Sequence, residues 1–197
     1  FSKWDIKRKS KKDFTIGAKY YYEDRRNGVE EYISKRAYRA LRGSDSVYGE
    51  SIYTNRLELF GKYEFSESLN LQYSFSHHYQ NSYYGSDLYV ASQQTGFLYF
   101  IKNYTFKNHD LTGGITARGQ LYDDNTVATE TGEGDDLINL GEKQFIPGVF
   151  IQDEFNLNEK LSSLAGYRLD HYNEHGLIGS PRLSFKYQAN KNLTLEP

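Results

Sequence analysis

The chain of 197 residues carries 24 Lys and Arg against 26 Asp and Glu, with 19 Tyr, 12 Phe, one Trp, 3 Pro and no Cys. This near-neutral balance argues against nucleic-acid binding through bulk positive charge, and the lack of Cys removes disulfides, thiolate metal sites and Cys nucleophiles. The longest apolar run, 97–101, falls far short of the roughly 20 residues of a spanning helix, but alternation would still hide the apolar residues of a membrane β-barrel.

The dominant period along the chain is two, which a helix would not give. Residues 14–22 set Phe14, Ile16, Ala18, Tyr20 and Tyr22 against Thr15, Gly17, Lys19 and Tyr21. Next comes a polar stretch in which Val29, Ile33, Ala37 and Ala40/Leu41 recur at helical spacing, with Gly43 placed to cap the end. Lys35, Arg36, Arg39 and Arg42 lie off that stripe. They read either as an anion-facing surface, for a lipopolysaccharide headgroup or an acidic ligand, or as a solvated loop face. Residues 53–65 alternate Leu57, Leu59, Tyr63 and Phe65 with Arg56, Glu58, Lys62 and Glu64. Residues 71–79, 111–121, 161–169 and 181–187 repeat the scheme, while 97–106 is apolar on both faces.

Short polar turns are expected near 7–12, 66–70, 106–110, 156–160 and 188–192, and longer connections near 24–51, 83–92, 123–142 and 174–179. This rhythm predicts an all-β fold: an antiparallel up-and-down transmembrane β-barrel segment of about ten strands. Short periplasmic turns would mark one rim and long extracellular loops the other. Strands of 10–13 residues exceed the usual soluble length of about 5–6 and suit a tilted membrane strand. A soluble β-sandwich or propeller is the competing architecture. The chain opens at Phe1 without an initiator Met or signal peptide and closes at Pro197 just after a strand begins. It therefore reads as an internal piece of a longer protein.

No catalytic constellation, metal site or cofactor motif stands out. His77 and His78 are adjacent on a strand and point to opposite faces. His171 and His175 straddle a short outer loop, where zinc would need further ligands. If the ligand is haem, His171, His175 or His109 could bind its iron, and His109, on a short-turn side, is the worst placed of these three. The acidic stretch 123–136 could hold calcium or be a solvated outer loop, and its spacing does not fit an EF-hand. The stretch 80–94 places Tyr83, Tyr84 and Tyr89 among amides and Ser. Such groups give large contact area and adaptable hydrogen bonds. These three are the first choice for ligand contact, with Tyr122 and Asp124 next; rim anchoring is the alternative role.

The segments PGVFIQDEF (147–155), LAGYRLDHY (164–172) and SPRLSFKY (180–187) follow one another in order and spacing. Together they resemble successive barrel strands of TonB-dependent outer-membrane receptors. The stretch 48–65 is similar to a mid-barrel strand after an outer loop, so the resemblance covers most of 1–197. It implies a piece of a barrel of about 22 strands, with the plug domain and C-terminal strands outside the sequence. It further implies residence in the bacterial outer membrane among lipid and lipopolysaccharide. The expected activity is energised uptake of a scarce bulky ligand, of the ferric siderophore, haem or cobalamin type. The TonB-ExbB-ExbD complex would act through the plug, with no enzymatic step and no nucleic acid. Gly166, Arg168 and Asp170 share one face by parity, and Arg182 and Ser184 would join them if the register allows. Charge is costly toward lipid, so that face should line the lumen. Arg168, Asp170 and Arg182 would there form the wall and hold the plug, or serve as a structural wall network alone. A passive porin or adhesion barrel, and a soluble β-sheet glycan-binding module, are the alternatives.

Overall fold

Alternating sequence becomes long hydrogen-bonded strands here because each strand finds a partner immediately along the chain. A computed structural model describes residues 1–7, 12–132, 138–158, 160–190 and 193–195. The main sheet has ten strands: β1 (Ser2–Ile6), β2 (Phe14–Gly28), β3 (Gly49–Ser66), β4 (Leu69–Tyr84), β5 (Asp87–Phe106), β6 (His109–Asp124), β9 (Glu142–Asn156), β10 (Leu161–Tyr172), β11 (Gly176–Asn190) and β12 (Leu193–Leu195). Between β6 and β9, two short strands, β7 (Glu130–Thr131) and β8 (Ile138–Asn139), pair as a separate ribbon. All pairings are antiparallel, β1 and β12 form the two edges, and among the described residues the sheet does not close on itself. A meander of about ten strands is therefore present as expected, without a closed barrel.

Directly opposed residues point to the same side of a sheet. One rung runs Phe14, Tyr63, Leu71, Phe100, Ile115, Val149, Leu169, Gly179 across eight strands. The adjacent rung, on the opposite face, runs Thr15, Lys62, Gln72, Tyr99, Thr116, Gly148, Asp170, Ile178. The sheet is thus apolar on one side and largely polar on the other. The apolar side is uncovered: Ile115, Ile151 and Leu183 are 59%, 59% and 66% exposed. Among the described residues only Tyr32, Ile52, Ala91 and Ile146 are buried hydrophobics, so no second layer packs on the sheet.

One rim carries two-residue turns at 67–68 and 107–108. The other carries the 29–48 and 125–141 connections, but also two tight turns where longer loops were expected. The 83–92 region is a hairpin tip of two residues, 85–86, and the 174–179 region one of three, 173–175. Gly85 takes φ +63° at the first central position, as a two-residue hairpin turn with leading glycine requires. Leu88 and Val90 continue the alternation beyond it, so pairing extends to Tyr84 and Asp87. The expected turns at 7–12, 156–160 and 188–192 fall partly outside the described residues. So does the carboxylate cluster within 123–136.

The helical stripe at 29–41 is only partly realised. It gives one short helix, α1 (Glu30–Ser34), then a single 3-10 turn at Ala37–Arg39, because Arg36 between them adopts a left-handed backbone, φ 56°. The buried residue is not on the stripe: Tyr32 is 1% exposed, whereas Val29 and Ile33 are 47% and 41% exposed. Its ring fills the place where Gly49 has no side chain, and its hydroxyl shares a 2.7 Å hydrogen bond with Ser51. This folds the connection back onto the sheet.

Candidate functional site

Two groups of residues stand out on the polar face, one at mid-strand and one near the loop-bearing rim. At mid-strand, Arg168 Nε donates to Asp170 Oδ2 at 2.6 Å and Nη2 to Asp170 Oδ1 at 2.8 Å. The same Nη2 reaches Thr116 Oγ1 at 3.2 Å. Residues two apart on a strand share a face, so Gly-x-Arg-x-Asp builds a two-toothed ion pair within one strand. Asp170 is only 8% exposed. Its room comes from Gly148, directly opposite: a Cβ there would collide with the Asp170 carboxylate and press on Thr116 Oγ1. The glycine of PGVFIQDEF is thus the socket for the aspartate of LAGYRLDHY.

Arg182 sits opposite Gly166, on the same face as Arg168. Both arginines line a cavity of about 420 Å³ with Tyr99, Phe150, Gln152 and Gly166. Tyr99 and Phe150 stack there, centroids 5.0 Å apart, which explains why 97–106 is apolar on both sides. The carboxylate partner of Arg168 lies on its own strand.

Near the other rim, Tyr89 and Tyr122 share a hydrogen bond of 3.0 Å between hydroxyls. Tyr122 in turn donates to Asp124 Oδ2 at 2.6 Å. Asp124, 6% exposed, also accepts from the Thr126 amide, 2.9 Å, and from the Thr126 and Thr129 hydroxyls, 2.8 and 3.1 Å. Burial works to raise the Asp124 carboxyl, but the bonds from Tyr122, Thr126 and Thr129 outweigh it and hold it below the ordinary carboxylate range. The Tyr122 hydroxyl is pushed well up, first by its bond to Asp124, then by Tyr89 and by burial. The array is a buried carboxylate ringed by hydroxyl and amide donors, with the Tyr89 and Tyr122 hydroxyls on its outer side.

The five residues expected to contact ligand do not form one surface. Tyr84, Tyr89, Tyr122 and Asp124 lie on the polar face, whereas Tyr83 has the opposite parity and shares the side of Leu57 and Leu59. His77 and His78 are likewise split between faces, as expected. No group of three His, Cys, Asp or Glu residues able to hold a metal occurs among the described residues. His109 bonds Asp153 at 2.6 Å and stacks on Phe155 with centroids 4.3 Å apart. A further polar cavity of about 400 Å³ was not anticipated; Lys19, Glu23, Arg25, Arg56, His78 and Gln80 are among its lining residues. The alternating charges of 19–25 and 56–58 were its signal, but only the register places them side by side.

The sequence model of the family described as "TonB dependent receptor-like, beta-barrel" matches residues 3–195. Among curated proteins none matches the chain. Of solved structures, a point variant of the ferric enterobactin receptor of Pseudomonas aeruginosa superposes with a TM-score of 0.62 at 15% identity, covering 94% of this chain and 30% of the receptor. The siderophore receptor PirA of Acinetobacter baumannii gives a TM-score of 0.48 at 12% identity, with 91% and 38% covered. The chain thus spans under two fifths of the length of either receptor.

Proposed function

Since the chain belongs to the TonB-dependent receptor-like β-barrel family, we propose that it is part of the wall of an outer-membrane receptor that takes up a scarce, bulky ligand. The apolar face then contacts acyl chains and the polar face looks into the lumen. The observation that carries this reading is the uncovered apolar side of the sheet, with Ile115, Ile151 and Leu183 more than half exposed opposite a face of ion pairs. A soluble protein rarely leaves so continuous an apolar surface open, and charges toward lipid would be costly.

On this reading the loop-bearing rim is extracellular. Tyr84, Tyr89 and Tyr122 offer hydroxyl contacts to a ligand entering the lumen, and the buried Asp124 carboxylate holds Tyr122 in place from behind. Arg168, Asp170 and Arg182 belong to the wall facing the plug, with the Arg168–Asp170 pair keeping the arginine in place. The cargo is of the ferric siderophore, haem or cobalamin type, and energy arrives from TonB-ExbB-ExbD through the plug.

The test uses the full-length receptor containing this segment, in cells with and without a functional TonB complex. Ferric enterobactin, haem and cyanocobalamin are the probes. TonB-dependent uptake of one of them, with binding weakened by Tyr89→Ala and Asp124→Ala, is the expected result. Ion conductance through the purified protein that needs neither plug nor TonB would make it a passive barrel. Partition of the intact protein into buffer without detergent would remove it from the membrane altogether.

A further inference from the structure

The 29–48 connection folds back over the side of the sheet opposite the lumenal array, and it brings cations there. Arg42 lies over two rings, its guanidinium carbon 4.3 Å from the Tyr53 centroid and 4.6 Å from that of Tyr83. It also donates to Asn81 Oδ1. Arg26 lies over Tyr38 at 4.1 Å and pairs with Asp24 at 2.5 Å. Arg26, Tyr38, Arg39, Arg42 and Tyr53 line a cavity of about 320 Å³. Arg39 is exposed, and neither it nor Arg42 has an ion pair of its own among the described contacts.

Parity fixes which way this cavity faces. Tyr53, Asn81 and Tyr83 share the side of Leu57, Leu59 and Tyr79. Arg26 is opposite Ser51, which is opposite Tyr83. The cavity therefore opens on the apolar side, not on the side of Tyr89 and Asp124. Tyr53 is four residues beyond Leu57, where that side turns polar, or about 13 Å along the strand. With a strand tilt of 35–45° this is roughly 10 Å above the apolar band. That height is at or just beyond a headgroup layer of about 5–8 Å.

Resting on the membrane reading above, we propose that this cavity binds a phosphate group of a phosphorylated outer-leaflet glycolipid. Guanidinium groups match phosphate oxygens in fork geometry, and stacking on rings holds them ready at little ordering cost. Three arginines facing one local carboxylate leave an excess of positive charge. The tyrosine rings beside them give faces on which a sugar can lie. A lumenal ligand would not reach the site, because the sheet stands between them.

The experiment takes the full-length receptor in phosphatidylcholine nanodiscs, with diphosphoryl lipid A, its dephosphorylated form and inorganic phosphate as probes. Wild type should bind diphosphoryl lipid A in preference to the dephosphorylated lipid. Arg39→Ala and Arg42→Ala should each weaken that binding by about tenfold. Lys35→Ala, whose ammonium is paired with Glu31 on α1, should bind as wild type. Equal binding of the two lipids, or unchanged binding in both arginine variants, overturns the proposal. So does full displacement by millimolar phosphate, which would mark a site for the free ion. TonB-dependent uptake is measured on the same variants: uptake kept while lipid selectivity is absent sinks this inference alone, whereas a receptor that does not enter the bilayer sinks the membrane reading.

Discussion

Removal of the Asp170 carboxylate tests whether Arg168 is held by its own strand. In Asp170→Ala, Arg168 loses two charge-assisted bonds of 2.6 and 2.8 Å and keeps only Thr116 at 3.2 Å. Bonds to charged groups are worth about 1.5–3 kcal/mol when sheltered. The Asp170 side chain is 12% exposed but that of Arg168 is 37% exposed, so water recovers part of the loss. The expected destabilisation is about 2 kcal/mol, below the roughly 3 kcal/mol at which two fully sheltered bonds would begin. Urea unfolding of the full-length receptor in lipid vesicles, for Asp170→Ala, Arg168→Ala and the double variant, gives the coupling directly. A coupling of about 1–2 kcal/mol is expected, with ligand affinity little changed. Additive losses, with coupling below about 0.5 kcal/mol, would refute the intrastrand pair. A loss of uptake without loss of stability would assign Arg168 to the plug or cargo instead.

Gly148→Ala should cost about 1–3 kcal/mol by overpacking, and much less in the Asp170→Ala background, read by the same unfolding curves. Tyr122→Phe removes one bond to Asp124 and one to Tyr89, so the Asp124 carboxyl should titrate closer to the ordinary range, as followed by NMR of labelled carboxylates. In wild type the folded-state value is depressed. The stabilisation is therefore fully present above the unfolded value near 3.9 and is lost as pH falls through the lower folded value. Hydrogen exchange at the Thr126 amide should accelerate over that acid window; acceleration beginning near neutrality would contradict the assignment. Tyr32→Phe should loosen the 29–48 connection by about 1–3 kcal/mol, through the unpaired Ser51 hydroxyl. Tyr32→Ala should cost about 3–5 kcal/mol. Both are measured by proteolysis confined to 29–48, and global unfolding at lower denaturant would count against a local role.

Strand existence, the sharing of faces and the family were legible because period-two alternation runs through most strands, 97–106 being the exception. That the residues of the row Phe14 to Gly179 sit on alternating-parity positions follows from parity, whereas their standing opposite one another needed the register. Turn lengths were less legible. The stretch 83–92 reads as a polar, aromatic loop, yet cross-strand pairing and one left-handed glycine make it a hairpin tip. The same misreading grouped Tyr83 with Tyr84, although adjacent strand residues point apart. The short helix was partly visible, but its anchor was not. Tyr32 is off the apolar stripe, and what buries it is Gly49, seventeen residues later. The partner of Arg168 was within reach, since residues 168 and 170 share a face on any strand. The matching socket at Gly148 required the register.

The connectivity of the main sheet also bears on how such a wall is assembled. From β1 to β12, every strand but one pairs with its immediate successor; the β6–β9 pair spans the 125–141 excursion. Contacts are consequently close in sequence, the condition that speeds zippering and lowers the entropy lost on closing each loop. Such a sheet can lengthen stave by stave from whichever end docks first. The slowest additions should be the staves that follow 29–48 and 125–141, where the chain must cross its two longest gaps before its backbone is satisfied.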